Sequence, residues 1–298
     1  MADRHRDVEW PTLLLIAGCY TLWVLATTWA AALWLPLGMA MLVLAVTLHS
    51  SLQHEVLHGH PFRSRPLNEA LVFLPVGLLY PYRRFRDLHL AHHNDERLTD
   101  PYDDPESNFL DPKVWAGLPG WRQRLLRLNN TLLGRMVLGP ALGTIVFARD
   151  EARAIRAGDR EIARAWALHL AGIVIVALWI AAAPMPFWAY AVAAYLGMSV
   201  LKIRTYLEHR AHEEAPGRTV VVERGGILGF LFLYNNLHVV HHTRPRVPWY
   251  RLPALYAAER EVFLARNHGY SYRSYGEIFR RHFLRAKDPV PHPLRPGN

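Results

Sequence analysis

The sequence predicts an all-α membrane protein: four transmembrane helices in two hairpins, interfacial helices, and a cytoplasmic helical cap. Three observations carry that expectation. No Asp, Glu, Lys or Arg occurs from Trp10 through Gln53, nor from Ala165 through Leu201. Each stretch is long enough for two crossings, since about 20 helical residues span about 30 Å of hydrocarbon. Prolines stand near the middle of both, Pro36 in the first and Pro184 and Pro186 in the second, where a turn between two spans belongs.

The elements follow in order. Residues 11–35 and 37–53 form the first hairpin, and the second helix runs on past the membrane boundary with His54 and His58. Residues 68–82 are apolar but short and contain Pro75 and Pro81, so an interfacial or partly inserted helix is expected. A helix carrying His89, His92 and His93 comes next, followed by the acidic turn Asp100-Pro101-Tyr102-Asp103-Asp104-Pro105-Glu106. Residues 131–147, interrupted by Gly134, Arg135, Gly139 and Pro140, are expected along the membrane surface. Residues 165–183 and 187–201 are the third and fourth spans, and residues 204–212 extend the fourth helix. No repeat or low-complexity linker divides the chain, so residues 1–298 read as one membrane-embedded domain.

Charge placement orients it. All 34 Lys and Arg lie outside the two hairpins. The positive-inside rule therefore puts the N-terminal tail, the middle segment and the C-terminal region, with every histidine cluster, on the cytoplasmic side. The net charge of +9 suits anionic headgroups or an acidic partner, and no basic module points to nucleic acid. Arg83-Arg84-Phe85-Arg86 and Arg122-Gln123-Arg124 read as headgroup anchors, or alternatively as docking sites for an acidic electron donor. The single cysteine, Cys19, lies inside the first span and excludes an intrachain disulfide.

The chemistry sits in three short clusters: His54-Glu55-Val56-Leu57-His58, His89-Leu90-Ala91-His92-His93 and His238-Val239-Val240-His241-His242. With 17 histidines in 298 residues an H-x-x-H-H pattern is expected by chance roughly 0.05 times. It occurs twice. Residues three and four apart share a helix face, so each cluster aims its imidazoles at one point. Imidazole is the commonest biological metal ligand, and eight candidates exceed one ion's coordination, so two metals share the site. His209 and His212 add an i, i+3 pair. His169, inside the third span, is expected to make a helix–helix hydrogen bond. The remaining histidines, His60 among them, are read as structural. Glu55 and Asp100 are candidate outer carboxylates accepting an imidazole N–H, with Asp103 and Asp104 similar in kind. His54-Glu55-x-x-His58 also matches H-E-x-x-H of zinc metalloproteases, with Glu55 as general base. That reading leaves both H-x-x-H-H clusters idle. A metal transporter would want polar groups through the spans, where only His169 lies deep.

These residues resemble the integral-membrane fatty acid desaturase superfamily. Its three histidine boxes are matched in order by HEVLH, HLAHH and HVVHH, over residues from about 10 to about 250. The motif set is shared by membrane hydroxylases, alkane monooxygenases and carotenoid ketolases, and HEVLHG is close to the ketolase-like first box. The resemblance implies two iron ions held by His54, His58, His89, His92, His93, His209, His238, His241 and His242, with His212 a further candidate. It also implies O2 as co-substrate and desaturation of a fatty acyl or lipid chain. Hydroxylation or ketolation of a lipid or terpenoid is the alternative. The family's extra ligand falls on His209. An asparagine one turn earlier in acyl-CoA desaturases is Thr205 here, for which Asn235 or Asn236 would compensate. No cytochrome b5 heme motif is present, so electrons are expected from a separate ferredoxin- or cytochrome-b5-like donor with its reductase.

Overall fold

A computed structural model describes residues 8–93 and 95–295. The described residues are mostly helical and fall into two compact units. Of the described residues, the first comprises 8–86 and 144–198, the second 87–93, 95–143 and 199–295.

The first unit holds three helices long and apolar enough to cross a membrane: α1 (Trp10–Leu33), α2 (Leu35–Leu57) and, later in the chain, a helix at Arg160–Ala182. Of the remaining longer helices that bear on the site, Tyr82–His92 is labelled α3, Arg160–Ala182 α4 and Phe187–Thr205 α5. The fourth expected span is thus a helix at the expected place. Trp188, Tyr190, Tyr195, Lys202 and Arg204 give it a more polar composition than the other three.

The core of this unit packs Trp23, Leu42, Val46, Val176, Ile180, Met185 and Tyr190 together. Small residues let the helices close up. A Cβ on Gly197 would stand 2.6 Å from Val46 Cγ1, and one on Gly38 would stand 2.7 Å from the Ala26 carbonyl oxygen. Leu14, Leu170, Val174, Leu178 and Leu196 point outward and are exposed. An apolar outer face over polar-satisfied interiors is what a bilayer solvent demands. A π-helical turn at Ala26–Ala30 interrupts α1, where the Thr27 and Thr28 hydroxyls donate to the Trp23 and Val24 carbonyls.

Residues 68–82 depart from expectation. The helix there is short, Arg65–Leu71, and residues 72–81 are irregular, with Leu78 at φ 66°. Pro75 and Pro81 remove backbone donors and forbid a continuous helix. The irregular stretch is partly buried instead, and side chains satisfy carbonyls in it and at the helix end before it. Tyr20 donates to Leu71 O, Tyr190 to Val76 O, and His169 to Leu78 O, at 2.9, 2.8 and 2.9 Å. Non-helical backbone at membrane depth is tolerated when protein groups satisfy it in this way. His169 therefore bonds a loop carbonyl rather than another helix.

The basic run 83–86 is also not a free patch. Arg84 makes a bidentate pair with Glu151, at 2.8 and 2.9 Å, while Arg83 and Arg86 face Glu69. Its cations are spent inside the unit. The second run remains available: Arg122 and Arg124 are exposed on a helix at Gly120–Asn129 beside Trp121 and Leu128, both also exposed.

The second unit is not wholly helical. β1 (Val221–Arg224) and β2 (Ser271–Ser274) pair in parallel, with Val222 opposite Tyr272. Val221, Leu237, Val239, Val240, Leu252, Tyr256 and Phe263 form its core. That core seats α6 (His238–Thr243), the short helix of the third cluster. The expected extension of α5 through residue 212 does not form. The helix ends at Thr205, and His209 pairs with Thr219 in an antiparallel bridge. Arg210 N donates to Arg218 O at 3.0 Å, and Val220 N to Glu208 O at 3.1 Å. Tertiary pairing here overrides a locally helix-forming sequence.

Candidate metal centre

In the second unit α3, α6 and the 209 bridge bring four imidazoles together. His92, His209, His238 and His242 each offer a nitrogen within 4.8 Å of the others. His209 Nε2 is 2.8 Å from His92 Nε2 and 3.1 Å from His238 Nε2. The other histidines of the two clusters continue the group. His93 Nε2 is 3.0 Å from His89 Nε2 and 3.1 Å from His241 Nε2. His93 stands just past the end of α3, but its N–H still reaches His89 O at 3.1 Å, so the i, i+3, i+4 face is preserved.

The donor set fits a metal. Two ligands with bonds of about 2.1 Å at octahedral or tetrahedral angles stand about 3.0–3.4 Å apart. Three of the Nε2 separations, 3.0–3.1 Å, lie at the short end of that spacing, and the 2.8 Å between His92 and His209 is slightly tighter. Three rings point Nε2 inward because Nδ1 is engaged behind them. His92 Nδ1 donates to Asp104 Oδ1 at 2.7 Å, His89 Nδ1 to Glu106 Oε1 at 2.9 Å, and His238 Nδ1 to Asn235 Oδ1 at 3.0 Å. Metal-ligating histidines are held by this kind of outer contact, which fixes tautomer and ring direction. His209 Nδ1 is buried without a hydrogen-bond partner.

Burial and charge agree. His89, His92, His238, His241 and His242 are all buried. Burial depresses the His209 and His238 basicity well below the usual imidazole value, and neighbouring imidazoles add to it, so both stay neutral and able to ligate. At His92 burial acts in the same direction, but the Glu106 and Asp104 carboxylates outweigh it and lift the ring to about 9. Burial alone would raise Glu106, yet His89 and His92 hold it well below the ordinary carboxylate range.

The outer shell corrects the sequence reading. Asp100 accepts from Tyr102 N and Asp103 N at 2.8 and 3.0 Å and pairs with Arg295 at 2.5 Å. It is a turn-former, and Asp103 is exposed in the same turn. The acids facing histidines are Asp104 and Glu106, from the end of that turn. Glu106 escaped the sequence reading, although an acidic turn 7–13 residues after a histidine cluster in a strongly basic chain was its signal. His212 stands apart: its ring bonds the Glu214 backbone at 3.1 Å and packs on His268, with ring centroids 4.7 Å apart.

In the first unit His54 and His58 have ring centroids 5.1 Å apart at the end of α2. Glu55 faces His60, with Oε1 3.7 Å from Nε2, while His60 Nδ1 donates to Glu9 at 2.8 Å. His60 is thus a buried structural histidine held between the buried Glu55 and the half-buried Glu9.

The model of the fatty acid desaturase family matches residues 27–276. The chain belongs to the fatty acid desaturase family. A beta-carotene ketolase of Paracoccus sp. (strain PC1) is 25% identical over 258 residues, covering 80% of this chain and 86% of that protein. A second beta-carotene ketolase, from Paracoccus sp. (strain N81106 / MBIC 01143), is 25% identical over 231 residues and covers 74% of each. Family and apolar helices together identify an integral membrane oxidoreductase of the desaturase type, whose buried histidines fit a metal site.

Proposed function

We propose that this desaturase-family chain is an O2-dependent di-iron oxidoreductase that inserts oxygen into a long, ring-bearing isoprenoid lipid, as a ketolase does. The observation that carries the metal assignment is the set of imidazoles presenting Nε2 inward with Nδ1 anchored outside. The observation that favours oxygen insertion over acyl desaturation is the pair of relatives, both beta-carotene ketolases, matched along most of both chains. Desaturation of a fatty acyl chain is the second reading, supported by the family itself.

His92, His209, His238 and His242 would hold one ion. His89, His93 and His241 would hold the other, and His54 and His58 are proposed as ligands on the strength of their box. Imidazole without thiolate suits iron. When bound, the irons would supply reduction of O2 and hydrogen removal from an unactivated C–H bond. Each hydroxylation consumes one O2, two electrons and two protons and releases one water. A second round at the same carbon gives a geminal diol, which loses water to become the ketone. The electrons come from a separate ferredoxin- or cytochrome-b5-like donor with its reductase.

The chain's own part is placement and protection. Asp104, Glu106 and Asn235 hold three rings in the tautomer that leaves Nε2 available. Burial of the histidines keeps bulk water from the oxidant. Four spans with both termini and the metal site on the cytoplasmic side are the proposed topology, the charge asymmetry being its support.

Expression in cells supplied with β-carotene, beside a His241→Ala control, tests the reading. Ketolation exchanges two hydrogens for one oxygen, whereas desaturation of cellular acyl chains removes two hydrogens. Neither product, in chain loaded with iron and supplied with a donor, would defeat the proposal. One zinc per chain and no O2 uptake would favour the protease reading of His54-Glu55-x-x-His58.

A further inference from the structure

We propose that Glu208, charge-paired with Arg204, and Asn235 form a one-way hydrogen-bond chain that locks His238 in the Nδ1–H tautomer, making Asn235 a positioning residue for the metal centre. The inference rests on the metal reading above and deepens it.

Glu208 is buried, and Arg204 Nε lies 2.9 Å from its Oε1, an i, i+4 ion pair across the end of α5 in which the guanidinium favours the ionised carboxylate. An ionised carboxylate only accepts hydrogen bonds. Asn235 Nδ2 is 3.2 Å from Glu208 Oε1, so the amide must turn its NH2 toward Glu208. That leaves Oδ1 facing His238 Nδ1 at 3.0 Å. An amide oxygen cannot donate, so the proton must sit on Nδ1, and the Nε2 lone pair is directed at His209 Nε2, 3.1 Å away. Asn235 is 2% exposed and His238 1%, so water cannot supply an alternative partner. Glu208 Oε1 itself is 3.7 Å from His238 Nδ1, beyond direct bonding, and the amide spans that gap.

The chemical consequence distinguishes His238 from His92 and His89. Those two donate to carboxylates, which strengthen an imidazole as a donor to metal. His238 donates to a neutral amide and is the weaker donor of the set.

Two measurements decide this. In metal-free protein with 15N-labelled histidine, the His238 nitrogens should report Nδ1–H, and a predominant Nε2–H signal overturns the chain. In Co(II) titrations, Asn235→Leu should weaken one site about 10–100-fold. Asn235→Asp, which can share a proton with Glu208 and still accept from His238, should recover most of that loss with an altered Co(II) spectrum. Leu binding as tightly as wild type, or Asp failing to rescue a folded protein, overturns the inference. A wild-type chain that takes up no Co(II) defeats the metal reading instead, and the nitrogen signals then judge the tautomer lock alone.

Discussion

Replacing Asp104 by Asn removes one charge while keeping the side chain's shape, and the structure sets the cost. Asp104 is buried and accepts three hydrogen bonds: from His92 Nδ1 at 2.7 Å and Glu106 N at 2.9 Å on Oδ1, and from Thr99 N at 2.8 Å on Oδ2. An amide has one oxygen and cannot satisfy both sides. With its oxygen toward His92, the NH2 opposes Thr99 N–H, and a buried donor is orphaned at about 1–3 kcal/mol. With its NH2 toward His92, the imidazole must move its proton to Nε2 and ceases to be a ligand through that nitrogen. Either way the variant binds metal more weakly, by about 10–100-fold. At about 1.4 kcal/mol per factor of ten, that is about 1.4–2.8 kcal/mol, of the same size as the orphaned donor. Chelator competition with Fe(II) or Co(II), beside circular dichroism to confirm the helices, measures it. A folded Asp104→Asn protein with wild-type affinity would refute the assignment of Asp104 as the anchor of His92.

Other outcomes follow from the same contacts. His242→Ala should lower metal content and abolish turnover, whereas His212→Ala, whose ring sits against Glu214 and His268, should leave both near wild type in metal analysis and product yield. Metal-free His92 holds its proton up to about pH 9, because Glu106 and Asp104 outweigh the burial that would lower it. That proton stabilises the metal-free fold fully below pH 6.5, and the gain is lost as pH rises through about 9. Metal must expel it, so loading at about pH 7.5 should release acid in a weakly buffered titration, and affinity should fall as pH drops. Titration without proton release would contradict the His92 assignment. Gly38→Ala should destabilise the α1–α2 pair by about 1–3 kcal/mol, because the new Cβ meets backbone at 2.7–2.9 Å that cannot yield as a side chain could. Unfolding in mixed detergent reads this directly; a gain in stability would show that helix propensity had won instead.

Much of the fold and site could be read from the residues, and the failures share one cause. Hydropathy is a local property, so the apolar helices fall where the charge-free stretches lie. Histidine spacing is local too, and α3 presents His89, His92 and His93 as their periodicity requires. Residues 206–212 failed because their conformation is decided elsewhere: His209 pairs with Thr219, and Glu208 is held by Arg204 and Asn235. Residues 72–81 failed because donors on distant helices, Tyr20, Tyr190 and His169, make an irregular backbone tolerable.

The outer shell shows why spacing finds ligands more readily than it finds what orients them. An imidazole's place is set by its own helix, so a three-and-four repeat betrays it. The group behind it need only supply an acceptor at Nδ1, and any segment that the fold brings there will serve. For α3 that segment is the turn ending in Asp104 and Glu106; for α6 it is Asn235, three residues before its own histidine and fixed by Glu208 from another element. Asp100, Asp103 and Asp104 are indistinguishable by type, yet only Asp104 is buried, because the Thr99 and Glu106 N–H groups close around its carboxylate. Donor number does not separate the acids, since Asp100 also gathers three; what sets Asp104 apart is that one of its donors is the buried His92 imidazole.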